Sequence, residues 1–253
     1  MTKISAVIVA HNEEKNILEC LQSLDFVDEI VVVLDKCTDS TKEIVQKFGA
    51  KIIEGSWKIE GARRNVALSG ATGDWILEID ADERISKELA QEILSVKNSY
   101  PCGFFIPISN YIGKRHVRFG WLRILGVLRR QTLTYKGLKL YHEDKEIHPT
   151  VEINCELKSL KNPIIHLVDE DISDLLVRFN RYTTWKSRDM IAKGKVKGGF
   201  LRSIIDFKLR FFKSFFVKKG YKEGLLGVLI AVLCGLYPLV SYLKSKEKIN
   251  ENS

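Results

Sequence analysis

Cysteine is scarce in this chain of 253 residues, and its five copies, Cys20, Cys37, Cys102, Cys155 and Cys234, are scattered, with no C-x-x-C pair. That pattern excludes a disulfide framework and a cysteine zinc site, and fits a reducing compartment. The first residues, MTKISAVIVAHNEE, carry no signal peptide: the apolar run Ile4 to Ala10 is short and acids follow at once. A cytoplasmic start is therefore expected. VIVAHNEEKN contains no glycine, so it offers no early glycine-rich phosphate loop of the kind a sugar-phosphate nucleotidyltransferase would want. Internal repeats and low-complexity tracts are absent. No nucleic-acid-binding motif accompanies the basic residues, which ranks nucleic acid low as a partner.

What is present is ordinary globular composition, 45% apolar and 28% charged, with a net charge of +8. That surplus favours anionic partners. Over the first hundred residues short β-branched runs alternate with helical spacing. Ile4–Ala10, Glu29–Leu34 and Trp75–Ile79 read as buried strands, and Lys51–Glu54 as a weaker one. Glu13–Leu24, Thr38–Phe48 and Gly61–Ser69 read as helices, with Thr38 or Asp39 capping the second. Strands alternating with helices predict right-handed βαβ units and a mostly parallel sheet of the α/β class. Ligands of such sheets lie beyond the carboxyl ends of the strands. The residues to watch are therefore His11, Asn12 and Glu13 after the first strand, Asp35 after the second, and Asp80 and Asp82 after the strand at Trp75.

The sharpest signal is GDWILEIDADE, Gly73 to Glu83. If Asp80-Ala81-Asp82 is extended, its two carboxylates point the same way. They repel unless a cation lies between them, and Mg²⁺ or Mn²⁺ with phosphate as co-ligand suits such a pair. The competing reading is an acidic turn before a helix starting near Ser86. Asp35 sits where the base or ribose of a nucleotide would lie, but is also a good turn former. Asn12 and Glu13 equally suit the start of a helix.

Together, AHNEE, LDKCTDST, GARRNVALSGATGDW and IDADE resemble, in order, the motifs of the family 2 inverting glycosyltransferases of the GT-A fold. Within that family the chain looks closest to the lipopolysaccharide core β-glucosyltransferase group. The likeness is specific over residues 1–98 and continues more loosely through NYIGKR, FGW, LRR, YHE and NRY to about residue 185. It implies a GT-A domain over 1–195, with a nucleotide-sugar-binding half (1–98) and an acceptor half (99–195). It also implies a nucleotide-sugar donor, UDP-linked, a divalent metal, and a surface-glycan or lipid-linked acceptor such as a lipopolysaccharide core. Carried over by position, Asn12, Glu13 and Asp35 would hold the nucleotide, and Arg64 and Asn65 would line the donor cleft. Asp80 would reach ribose or metal, and Asp82 would be the main metal ligand. His142-Glu143 matches the group's H-E pair, making Glu143 the candidate general base with Asp144 as rival. His142 is read either as a metal or phosphate ligand or as a structural histidine. Arg129 or Arg130 would offset the charge of the leaving diphosphate, or else lie exposed. Lys36 and Cys37 replace the usual small pair, and Gly126 stands where an arginine is common. The first departure bears on nucleotide choice, the second on diphosphate or acceptor contacts. His116, His148 and His166 lack a companion pattern and read as structural or surface residues. Trp121 suits stacking on an acceptor sugar, while Trp57, Trp75 and Trp185 read as packing.

The chain changes character over 196–253. Between Phe200 and Glu223 seven basic residues interleave with phenylalanines, and Leu225–Leu243 then runs without a charge. That mixture suits a helical element on an anionic membrane surface, peripheral on the inner face, with the apolar run packed or shallowly inserted rather than crossing. A catalytically inactive membrane adaptor of the same fold is the non-enzyme alternative; the acids Asp35, Asp80, Asp82 and Glu143 speak against it.

Overall fold

In the computed structural model, residues 2–97, 103–122, 132–143, 149–194 and 200–251 are described. In chain order the elements are β1 (Ile4–Ala10), α1 (Ile17–Gln22), β2 (Glu29–Asp35), α2 (Thr41–Phe48), β3 (Lys51–Gly55), α3 (Glu60–Gly70), β4 (Trp75–Glu78), β5 (Glu83–Arg84) and α4 (Lys87–Val96). There follow β6 (Gly103–Phe105), β7 (Ile108–Ile112), β8 (Arg115–Val117), β9 (Thr132–Tyr135), β10 (Lys139–Tyr141), β11 (Val151–Ile153), β12 (Lys158–Ser159) and β13 (Ile164–Asp169). The chain closes with α5 (Ile172–Ala192), α6 (Phe200–Phe212) and α7 (Gly224–Glu251). Two compact units result, one of residues 1–109 and 129–166, the other of 110–128 and 167–253.

The first unit is built on a seven-stranded sheet ordered β12-β6-β9-β4-β1-β2-β3. β1 runs parallel to β2 and β4, β2 to β3, and β12 to β6, whereas β9 runs antiparallel to both β4 and β6. The sheet is thus mixed and mostly parallel, as the motif order implied. Its central strands are apolar on both faces because helices cover both. Val32 and Leu34 join Ile4, Ile8 and Trp75 in a core with Leu21 of α1, Val45 of α2 and Leu89 of α4. Val31 and Val33 point the other way, onto Ala67 and Leu68 of α3. A sheet between two helical layers is the outcome. The first two helices are shorter than the sequence spacing suggested, α1 beginning only at Ile17 and α2 at Thr41, with the Asp39 carboxylate accepting from the Thr41 backbone N–H at 3.1 Å, whereas α3 covers the expected Gly61–Ser69 with a residue more at each end.

The second unit is mainly helical. α7 packs along α5 and α6, burying Leu226, Ile230, Leu233 and Cys234 with Leu122 and Leu175. A Cβ at Gly227 would collide with the Gly220 carbonyl oxygen, so only glycine allows this close approach. Buried charge holds the unit together. Arg178 grips Asp169 through two bonds, 2.8 and 2.7 Å. Buried Glu223 accepts the backbone N–H groups of Arg118 and Phe119 at 2.8 and 3.1 Å.

Candidate active site

The loops after β1 and β2 are laced to each other. Asn12 Oδ1 accepts the Thr38 N–H at 2.8 Å, the Glu13 N–H donates to Thr41 Oγ1 at 2.8 Å, and the Glu14 N–H donates to Asp39 Oδ2 at 3.0 Å. Asn12 and Lys36 take left-handed backbone conformations, φ 57° and 54°, uncommon for residues other than glycine and frequent at functional sites. Asp35 closes β2 almost completely buried. Its Oδ1 accepts the Trp57 N–H at 3.0 Å, and its Oδ2 accepts from Arg63 at 2.7 Å. Arg63 is thus a partner of Asp35 that the motif reading did not single out. Beside them a cavity of about 270 Å³ opens beyond the ends of β2 and β3, lined by Leu34, Lys36, Cys37, Lys42, Glu54 and Gly55.

β4 stops at Glu78, and the following acids lie on a turn, not in extended chain. The Glu83 N–H donates to the Asp80 carbonyl at 3.0 Å, and Glu83 Oε2 accepts the Asp80 N–H at 2.8 Å. The expectation of an extended D-A-D is corrected accordingly: the carboxylates are placed by the turn and by their separate partners. Asp80 Oδ1 takes both terminal nitrogens of Arg64 at 3.3 Å. Asp82 Oδ2 lies 3.3 Å from His166 Nε2, and the Asp80 and Asp82 side chains keep roughly a third of their surface exposed. Burial by itself would raise the Asp82 carboxyl, but the hydrogen bond and charge of His166 outweigh it and hold Asp82 below the usual carboxylate range. His166 is the residue that sequence reasoning missed; it lies on β13, opposite Glu83 of β5 in antiparallel pairing.

Beneath this turn lies a buried ionic cluster. Glu78 is paired with the Lys139 ammonium and accepts the Tyr141 hydroxyl at 2.7 Å, and Lys139 also donates to Thr132 Oγ1 at 2.8 Å. Burial pushes the Glu78 carboxyl up, but the charges of Lys139 and Arg64 prevail and keep it ionised and low. Burial also works against the Arg64 charge, yet Asp80 and its other partners raise the guanidinium well above its ordinary value. Asn65, next to Arg64, uses its amide on the backbone of Tyr141, accepting the N–H at 2.9 Å and donating to the carbonyl at 2.8 Å. His142 and Glu143 follow immediately and are exposed, with the His142 imidazole 3.1 Å from Glu152. His142 is therefore directed to Glu152, and Asp80 and Asp82 are met by Arg64 and His166. Asp144, Arg129, Arg130, Gly126, Cys102 and His148 lie outside the described residues. Trp121, in the second unit, lies under the Lys213 ammonium, 4.5 Å from the ring centre.

Among the described residues no three His, Cys, Asp or Glu side chains form a ready metal cluster. Asp80, Asp82 and His166 nonetheless supply carboxylate oxygens and an imidazole nitrogen, a donor set that suits Mn²⁺ and, through its oxygens, Mg²⁺.

A mixed, mostly parallel sheet between helices, with acids gathered at the ends of β1, β2 and β4, is the architecture of the GT-A fold. The sequence model of glycosyl transferase family 2 matches residues 5–155, and the chain belongs to that family of enzymes. A glycosyltransferase of Rickettsia felis is 26% identical, the alignment covering 98% of this chain and 91% of the relative. LpsC of Rhizobium meliloti, a lipopolysaccharide core biosynthesis glycosyltransferase, is 23% identical over 95% of this chain and 91% of its own. Among solved structures, S. aureus TarS in complex with UDP-GlcNAc aligns at a TM-score of 0.52 and 20% identity, covering 97% of this chain and 88% of that one. At that identity the likeness shows the fold.

Proposed function

We propose that the enzyme is an inverting hexosyltransferase that moves a sugar from a UDP-linked donor to a surface-glycan or lipid-linked acceptor, of the kind found in a lipopolysaccharide core. The observation that carries this reading is the placement of Asp80 and Asp82 beyond the end of β4, each aimed by a separate cation or imidazole, in a family 2 chain. The UDP-GlcNAc complex of TarS and the lipopolysaccharide assignment of LpsC support the donor and acceptor classes.

The geometry supports the following roles. The cavity near Asp35 is small for a whole ligand pocket and suits the nucleoside part, with Leu34 and Lys36, the neighbours of Asp35, at its wall. Asn12 and Glu13 shape the neighbouring loop. Asp82 and His166, with Asp80, would hold Mn²⁺ or Mg²⁺, which as a Lewis acid offsets charge on the departing diphosphate. Arg64 and Asn65 act through Asp80 and Tyr141. Glu143 takes the proton of the acceptor hydroxyl as it attacks the anomeric carbon. Asp144 is the alternative for that task.

The second unit supplies attachment to an anionic membrane surface. Ile205, Leu209 and Phe212 are more than half exposed at i, i+4 and i+7 on α6, which is one helix face, and Phe216, half exposed, follows in the π-helical turn Lys213–Val217 with its ring 5.0 Å from that of Phe212. Exposed Arg202, Lys208 and Lys213 accompany them. The helical stretch Gly220–Ile249, a 3-10 turn followed by most of α7, has the length and apolarity of a membrane span, but 44% of its apolar window is buried within the protein. These features support a peripheral position, which we assign to the cytoplasmic face.

The test of the site is Asp82→Asn, which removes a charge without changing shape. Calorimetry should show Mn²⁺-dependent UDP binding by the wild type and its loss in the variant; undiminished binding by the variant would remove Asp82 from the metal site.

A further inference from the structure

Glu78 and Asp80 compete for one cation. Arg64 lies 3.6 Å from Glu78 Oε1 and 3.3 Å from Asp80 Oδ1. Glu78 is buried, whereas Asp80 keeps 38% of its side-chain surface exposed. Glu60 holds the Arg64 Nε at 2.9 Å, which leaves the terminal nitrogens between Glu78 and Asp80; attraction between charges strengthens as water is excluded, so with Glu78 unpaired those nitrogens would settle on Glu78. Glu78 is instead already occupied: Lys139, itself buried, pairs with it, and Tyr141 donates its hydroxyl at 2.7 Å. We propose that Lys139 is a positioning residue, neutralising Glu78 so that Arg64 stays on Asp80 and fixes the carboxylate that faces the donor. The inference rests on the reading of Asp80 as part of the donor and metal site.

The same cluster reaches the segment bearing the candidate base. Lys139 opens β10 and Tyr141 ends it, directly before His142 and Glu143. Tyr141 is held at its hydroxyl by Glu78 and at both backbone groups by Asn65. Gly61 of α3 admits the loop, because a Cβ there would stand 2.6 Å from the His142 carbonyl oxygen. Consecutive residues of α3, Arg64 and Asn65, therefore bind the end of β4 and the end of β10 respectively. The charge that Lys139 supplies keeps this bracket in one arrangement.

The experiment is a double-mutant cycle on the full-length chain, read by calorimetric UDP binding in Mn²⁺ and by thermal unfolding. Lys139→Met should weaken UDP binding about tenfold, a coupling of the size contacting charges show, because Arg64 is drawn from Asp80 to Glu78. Glu78→Gln added to Lys139→Met removes that pull and should restore both affinity and melting temperature towards the wild type. Wild-type affinity in Lys139→Met, or a double variant that binds as weakly as the single one, would overturn the proposal. If Lys139→Met does not fold, Lys139→Gln, which keeps a hydrogen-bond donor without the charge, is read against the same two outcomes. Asp80→Asn separates the failures. If it binds UDP and Mn²⁺ like the wild type, the donor-site reading is at fault, and rescue of melting temperature by Glu78→Gln still decides what Lys139 does.

Discussion

The two units put buried charge to different uses. In the first, buried Glu78 and Lys139 and partly buried Arg64 lie a short step from Asp80 and Asp82, whose carboxylates still reach solvent. In the second, the Arg178–Asp169 pair and Glu223 tie helices and loops of that unit together, while apolar side chains of α6 are left exposed. Burying an ion pair contributes little net stability, because desolvation offsets the attraction. What a buried pair does supply is a fixed direction. In the proposed reading the first unit uses that direction to aim the carboxylates of Asp80 and Asp82, and the second to brace helices behind an apolar face.

Three variants sharpen or break this contrast. Glu143→Gln should cut turnover roughly 10²–10⁴-fold, the usual size of general-base catalysis, while UDP binding and vesicle binding stay unchanged. Near-normal turnover would move the proton-accepting role to Asp144. Arg178→Met leaves Asp169 without its guanidinium and should cost about 3–5 kcal/mol of stability, measured by denaturant unfolding, with UDP affinity of the folded fraction intact. A matching loss of UDP affinity would show that the two units do not divide the labour as described. The smallest effect is expected from Leu209→Glu with Phe212→Glu on α6. A charge near an anionic surface is worth about 1 kcal/mol, so the two added carboxylates cost about 2 kcal/mol and flotation with anionic vesicles should fall roughly thirtyfold. Wild-type binding should weaken in high salt without vanishing, and transfer to a soluble acceptor should be unaffected. A wild-type chain that floats with neither anionic nor neutral vesicles would end the membrane reading and leave the α6 face to another partner.

The strands of the first unit were legible because burial on both faces leaves a local trace. Val31 to Leu34 point alternately into two cores, so every position is apolar and the run stands out. The acids after β1, β2 and β4 were legible for the same reason, being the first polar residues after such runs. His166 was not. Its partner Asp82 is 84 positions away, and only the antiparallel pairing of β13 with β5 brings it there. Nor could the turn at Asp80–Glu83 be read, because the Glu83 carboxylate that closes it looks in sequence like one more acid of the motif. The antiparallel insertion of β9 between β4 and β6 likewise leaves no periodic signal in a short strand.

The sequence by itself determined the class of sheet, the position of the acids at its strand ends, the membership in family 2 that their order announces, and the basic, aromatic character of the C-terminal stretch. These depend on local polarity and spacing, which the chain carries wherever it folds. The tertiary structure alone decided which cation serves which carboxylate: Arg64 for Asp80, His166 for Asp82, Lys139 for Glu78 and Arg63 for Asp35. Ion pairing is a choice among several charges, and it is settled by distance and by exclusion of water. Both are properties of the packed molecule, and neither is written in the spacing of residues.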